Sequence, residues 1–157
     1  MAITEIRVDT TDFSLEREMA RVRAESPAAG GVVSFVGVVR NHNDGEVVSR
    51  MTLEHYPGMT ERALGKIVEE ARERFHLIDI IIHHRVGDLN VGDQIVLCLV
   101  SAAHRGEAFE GCEYIMDWLK TEAPFWKREA TSAGERWVDA RESDEHARDR
   151  WGVKTKA

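Results

Sequence analysis

Two lysines give the first chemical hint. The chain holds five lysines against sixteen arginines, and two of those five, Lys120 and Lys127, flank Pro124. Neighbouring ammonium groups depress each other's pKa, so one can act as nucleophile or base while the other holds an anion. A chain reversing through residues 121–124 brings the two within roughly 10–15 Å, given a strand rise of about 3.3 Å per residue. Each lysine also has an ordinary structural reading. Lys120 is a cation in the last turn of a helix, favoured by the macrodipole by about 0.3–1 kcal/mol, and Lys127 is an edge charge that blunts strand pairing. Alternation along the extended segment after Pro124 puts Phe125, Lys127 and Glu129 on one face and Trp126 and Arg128 on the other.

His104-Arg105 is a second candidate. It falls where an apolar strand hands over to a helix, with Gly106 following. Backbone N–H groups at a helix start, joined by an arginine, form an anion site; the plainer alternative is a capping histidine beside a surface arginine. Arg40 is the third, at the end of a strand before the turn-rich stretch NHNDGE.

Other chemistries lack their residues. His83 and His84 are adjacent on a strand, so they face opposite ways and cannot chelate one metal together. HxH, HExxH and clustered Cys/His spacings are missing, so no metal site is expected. Cys98 sits in an apolar strand and Cys112 on an apolar helix face, and both read as core thiols. There is no GxSxG, P-loop or GxGxxG, and no cofactor is expected. Sulfur or acyl chemistry here needs a reactive atom delivered by a partner.

The elements that position these residues follow from periodicity. A first strand spans Ile3 to Val8, and caps among Thr10, Thr11, Asp12 and Ser14 precede a helix with Leu15, Met19 and Val22 as its stripe. Strands over 32–40 and 47–56 flank the NHNDGE loop and are expected to form a hairpin. A Pro57-Gly58 break leads into a helix over 59–75, with Leu64, Ile67, Val68 and Ala71 on its apolar face. Strands over 77–86 and 94–102 carry the continuous apolar runs Ile80 to Ile82 and Ile95 to Val100, as for burial on both faces. A helix over 105–122 carries Ala108, Cys112, Ile115 and Leu119, and strands over 125–131 and 135–138 follow. The expected fold is a single α+β domain over 1–157 with much antiparallel pairing, and a charged C-terminal tail from about residue 140.

Helix length separates the candidates. His104 and Lys120 stand at opposite ends of one helix, about 24 Å apart at 1.5 Å per residue. If both serve one small-molecule site, the simplest arrangement is a symmetric dimer in which one subunit's His104-Arg105 end meets its partner's Lys120/Lys127 corner.

Composition bounds the partners. Acidic residues outnumber basic ones, 28 to 21, for a net charge of -7, which argues against nucleic-acid or anionic-membrane binding. Locally the balance reverses: from Lys120 to Arg128 three basic residues meet one acidic residue, Glu122. The longest apolar run, Ile95 to Val100, is far too short to span a bilayer. The first residues show no signal-peptide pattern, so the cytoplasm is the expected compartment.

With these residues in place, the sequence resembles the large, catalytic subunits of molybdopterin synthases. The likeness runs from about Phe13 to Trp151 through five ordered motifs: GGVVSFVGVVRNHN, LEHYPGMT, AHRGEAF, IMDWLKTEAPFWKREAT and ERWVDARESD. The resemblance implies an α/β hammerhead-like fold with an additional antiparallel sub-sheet. It implies insertion of two dithiolene sulfurs into cyclic pyranopterin monophosphate. The sulfur would arrive as a thiocarboxylate on the C-terminal glycine of a small ubiquitin-like subunit, within a heterotetramer built on a homodimer of large subunits. By motif, Lys120 and Lys127 match catalytic lysines. Val38, Val39, Arg40, His104, Arg105, Arg128 and Glu129, with the lysines themselves, match the substrate-binding pocket. The competing expectations are a non-catalytic dimeric module that binds a phosphorylated metabolite, and a lysine Schiff-base enzyme acting on a sugar phosphate.

Overall fold

The computed structural model describes residues 2–43, 45–138, 148–149 and 151–152. Most of the expected charged tail lies outside these residues. In chain order the elements are β1 (Thr4–Asp9), α1 (Leu15–Glu25), β2 (Gly31–Val38), β3 (His42–Asn43), β4 (Glu46–His55), α2 (Met59–Phe75), β5 (Ile80–Arg85), β6 (Gly87–Asn90), β7 (Gln94–Ala102), α3 (Arg105–Glu122), β8 (Phe125–Thr131) and β9 (Gly134–Val138).

The apolar strands sit where their composition demands. β5 and β7 are central in a sheet of order β1-β5-β7-β2, in which β1–β5 is parallel and the other two pairs are antiparallel. Alternation then divides one strand between two cores. Ile80 and Ile82 face α2 and α3, packing with Leu64, Ile67, Ile115 and Leu119. Ile81 faces the other way, toward Phe13, Val22, Leu97 and Leu99. Ile80, Ile81 and Ile82 are all fully buried, each contributing about 1.5–3 kcal/mol of transfer free energy.

A second sheet has the order β3-β4-β8-β9, with β6 also pairing β4. A third apolar cluster of Val39, Met51, Leu53, Val86 and Leu89, with Phe125 packed against it, fills the angle between the sheets. The architecture is α+β, as expected. Among the described residues, no helix is long and apolar enough to cross a membrane.

Two expectations are corrected and one strand is added. β2 and β4 do not form a hairpin: β2 pairs β7, while β4 pairs β8, β6 and the short β3. The β2 register shifts at Gly37/Val38, and the chain there leaves one sheet for the other. The Gly87 to Asn90 segment, which lies between the expected strands over 77–86 and 94–102, is a further strand, β6, and Leu89 pairs opposite Met51 in the inter-sheet core. The α1 stripe holds at Val22 but not at Leu15, which is 36% exposed, while Glu18 is buried. Glu18 is drawn in by charge: Arg21 Nη1 lies 3.1 Å from its carboxylate and 3.0 Å from that of Glu5.

Candidate active site

The lysine corner is built by a helix stop and a clamp. α3 ends at Glu122, and its C-cap, Ala123, is already extended ahead of Pro124. The opening of α2 grips that turn. Buried Thr60 donates from Oγ1 to the Pro124 carbonyl (3.2 Å) and accepts from the Tyr56 N–H (3.0 Å). Gly58, at φ 85°, makes the tight entry possible, and its N–H donates to Glu61 Oε1 at 2.9 Å.

This corner opens onto a cavity of about 450 Å³ where the two sheets meet. Lys120 arrives from the last turn of α3, and Lys127 and Glu129 from the inward face of β8. Val38, Val39 and Arg40 come from the end of β2, and His84 from β5. The structure therefore brings Val38, Val39, Arg40, Lys120, Lys127 and Glu129 together. Arg40 and Lys120 are exposed, Lys127 is half-buried, and Glu129 is buried.

Glu129 is tied into the wall. Its Oε1 accepts from Asn43 Nδ2 at 2.9 Å and lies 3.4 Å from Arg136 Nη2, which also donates to the Asn43 carbonyl at 2.8 Å. The carboxylate thus holds the segment that follows Arg40. Arg128 lies outside this cavity, as the strand alternation requires. Its guanidinium is 5.6 Å from the Trp137 ring centroid, and its Nε lies 4.0 Å from Glu135.

His104 and Arg105 also lie elsewhere. They border a separate hollow of about 510 Å³ with Gly30, Ala103 and Gly106. His104 occupies the N-cap position of α3 without a side-chain capping bond, so the capping alternative is not realised. The chain can pass this close only because residue 30 is glycine: a Cβ there would stand 2.1 Å from the Ala103 carbonyl oxygen. α3 runs unbroken over 18 residues, which keeps this hollow about 24 Å from Lys120 in the same subunit.

His84 and His83 face opposite ways, as their adjacency dictates. His83 Nε2 lies 2.5 Å from Glu5 Oε2, on the α1 side. Glu5, Glu18 and His83 could converge on a cation, but Arg21 already supplies positive charge to both carboxylates. His84 instead borders the lysine cavity. Burial, reinforced by the charges of Lys120 and His55 and opposed by its bond to the Arg85 carbonyl, pushes its pKa down to about 4. Sequence reasoning missed His84, Thr60 and Asn43 as site-forming residues. Alternation showed that the two histidines part, but nothing local says which face meets a cavity. Cys98 and Cys112 are both buried core thiols, as expected.

A two-sheet α+β protein with a lysine-arginine cavity and a distant His-Arg hollow defines a class, and comparison makes it specific. The MoaE protein family model matches residues 8–122. The molybdopterin synthase catalytic subunit of Ralstonia nicotianae is 59% identical over 150 residues, 96% of this chain and 85% of that protein. Its Escherichia coli counterpart is 55% identical over 151 residues, covering 96% and 100%. The solved molybdopterin biosynthesis MoaE protein from Burkholderia ambifaria superposes with a TM-score of 0.80 at 53% identity, covering 98% and 100%. This chain belongs to the MoaE family.

Proposed function

We propose that the chain, as a single catalytic domain, is the catalytic subunit of a molybdopterin synthase. It would convert cyclic pyranopterin monophosphate to molybdopterin with sulfur carried as thiocarboxylate on a small ubiquitin-like partner. The observation that carries this reading is the convergence of Lys120, Lys127 and Arg40 on one cavity. Transfer from a thiocarboxylate develops negative charge on sulfur and on the acyl oxygen, which ammonium groups stabilise or protonate. Lys120 is assigned the acid/base or covalent role and Lys127 the substrate-binding cation. Arg40 is an anion ligand for the substrate phosphate. Glu129 shapes the pocket by holding the Asn43 segment. Both thiols are buried, which fits a sulfur supplied by the partner.

His104 and Arg105 are proposed to complete the pocket of a second copy. The apolar surface favours such a homodimer: Phe35 and Val38, on the edge strand β2, are 41% and 48% exposed, and Phe109, one turn beyond His104-Arg105, is 61% exposed. Beside the lysine corner, exposed Tyr56, Met59 and Trp126 offer apolar area to the small partner, giving the proposed heterotetramer.

The deciding experiment is Lys120→Ala, assayed with thiocarboxylated partner and precursor. Turnover is expected to fall by about 10²–10⁴ while precursor binding persists. Unchanged sulfur transfer would reject the catalytic role and leave a metabolite-binding module. Borohydride trapping of substrate on either lysine would instead favour a Schiff-base route.

A further inference from the structure

Arg148 and Trp151, from the C-terminal segment, reach back to the helix that carries Lys120. Trp151 is the anchor. Its ring meets Tyr114 of α3 edge-on, with centroids 5.5 Å apart and planes inclined by 75°. It meets Phe75 of α2 in the same way, at 5.7 Å and 78°. Its indole Nε1–H donates to Asp117 Oδ2 at 2.6 Å, and its carbonyl accepts from Arg74 Nη1 at 3.3 Å. Arg148 adds a second hold one turn further along α3. Its Nη1 lies 3.5 Å from the Glu122 carboxylate, and its guanidinium is 5.6 Å from the Trp118 ring centroid.

These contacts share one side of the helix. At about 100° per residue, positions 114, 117, 118 and 122 form a single face of α3. Leu119 and Lys120, which line the cavity, fall on the opposite face. Arg148 and Trp151 therefore grip the helix from behind and line none of the lysine cavity. A helix end gains from such a hold, because its last carbonyls lack intrahelical partners and the last turn frays. Asp117 and Glu122 straddle Lys120 in sequence, and Thr60 fixes the Pro124 carbonyl just beyond them. The rings supply apolar cover, whereas the bond to Asp117 fixes the indole at one place along the helix.

We propose that Trp151, assisted by Arg148, is a positioning residue for Lys120: it clamps the C-terminal end of α3 from the face opposite the cavity and so fixes where that lysine stands relative to Lys127. The consequence for turnover rests on the sulfur-transfer reading. Displacing a reacting group by about 1 Å costs about 10²-fold in rate. Trp151 touches no substrate and acts only through the helix.

The test compares full-length wild type with Trp151→Ala, which removes the clamp, and Trp151→Phe, which keeps a ring and loses the donor to Asp117. Amide hydrogen exchange followed by NMR reads the helix end without any turnover. Residues 118–122 are expected to exchange about tenfold faster in Trp151→Ala, with β5 and β7 unchanged and Trp151→Phe in between. Unchanged exchange at 118–122, or an equal rise throughout the chain, would overturn the proposal. In the assembled complex, at a temperature where every variant is folded, Trp151→Ala is expected to lower kcat by about 10–100-fold with KM within about twofold. Wild-type kcat in Trp151→Ala, whatever its Tm, would reduce the contact to a stabilising one and reject the positioning role. Should Trp151→Ala fail to fold, Trp151→Phe and Arg148→Gln carry the same comparison, and wild-type exchange and kcat in both would reject it. A wild-type complex that makes no product would sink the sulfur-transfer reading, while the exchange comparison would still decide the clamp on α3.

Discussion

Asn43 donates from Nδ2 to Glu129 Oε1 at 2.9 Å, joining residues 86 positions apart. Both are buried. The bond ties the segment that leaves Arg40 to the strand that carries Lys127, so the cationic walls of the cavity are fixed relative to one another. Arg136 reinforces the link by donating to the Asn43 carbonyl at 2.8 Å.

Replacing Asn43 by leucine leaves a buried carboxylate one donor short, at a cost of about 1–3 kcal/mol. The expected kinetic signature is a KM for the phosphorylated substrate that rises more than kcat falls, because Arg40 loses its fixed position. Steady-state kinetics with parallel thermal melts checks this. A variant with lower Tm and unchanged KM would show that the bond serves stability alone.

The separation of the two site halves along α3 permits a complementation experiment. Lys120→Ala and His104→Ala/Arg105→Ala proteins should each be inactive alone. Mixed and reassembled, they should regain roughly a quarter of wild-type activity, since half the dimers are mixed and each mixed dimer has one intact site. No recovery on mixing, with exchange verified by mass, would argue that each subunit builds its site alone.

Thr60→Val keeps the shape of the buried side chain at the start of α2 and removes its bonds to Pro124 and Tyr56. We expect a loss of about 1–3 kcal/mol in denaturant unfolding, with a drop in turnover as the corner between Lys120 and Lys127 loosens. Wild-type stability would show that the two bonds are readily replaced by water.

His84 also sets an acid limit to stability. Its pKa is pushed from 6.5 down to about 4 by burial, with the Lys120 and His55 charges adding to the shift. Between those values the unfolded chain holds a proton at this residue that the folded chain refuses. Stability contributed by the neutral ring is therefore full above about pH 6.5 and declines as pH falls toward 4. The slope of unfolding free energy against pH in that window should flatten in His84→Phe by close to one proton. Parallel slopes in the two proteins would place the titration elsewhere.

How much of this was legible in the sequence differs by element. The helices over 59–75 and 105–122 fall where the sequence puts them, because Pro57-Gly58, Pro124 and the i, i+3, i+4 stripes act within a few residues. The alternation after Pro124 was equally local, and it sorted Lys127 and Glu129 from Arg128 correctly. Strand partners were less readable. β2 and β4 looked like a hairpin because a turn-rich loop joins them, but β2 pairs along β7 and β4 along β8.

The sequence by itself determined the helices over 59–75 and 105–122, the alternation of faces after Pro124, and the separation of His104-Arg105 from Lys120, since these follow from backbone geometry over short range. Only the tertiary structure decided which sheets receive β2 and β4, and hence that Arg40, His84 and the two lysines border one cavity. A strand's hydrogen-bonding edges accept many partners, and the choice is made by the apolar surface that each pairing buries across the whole chain.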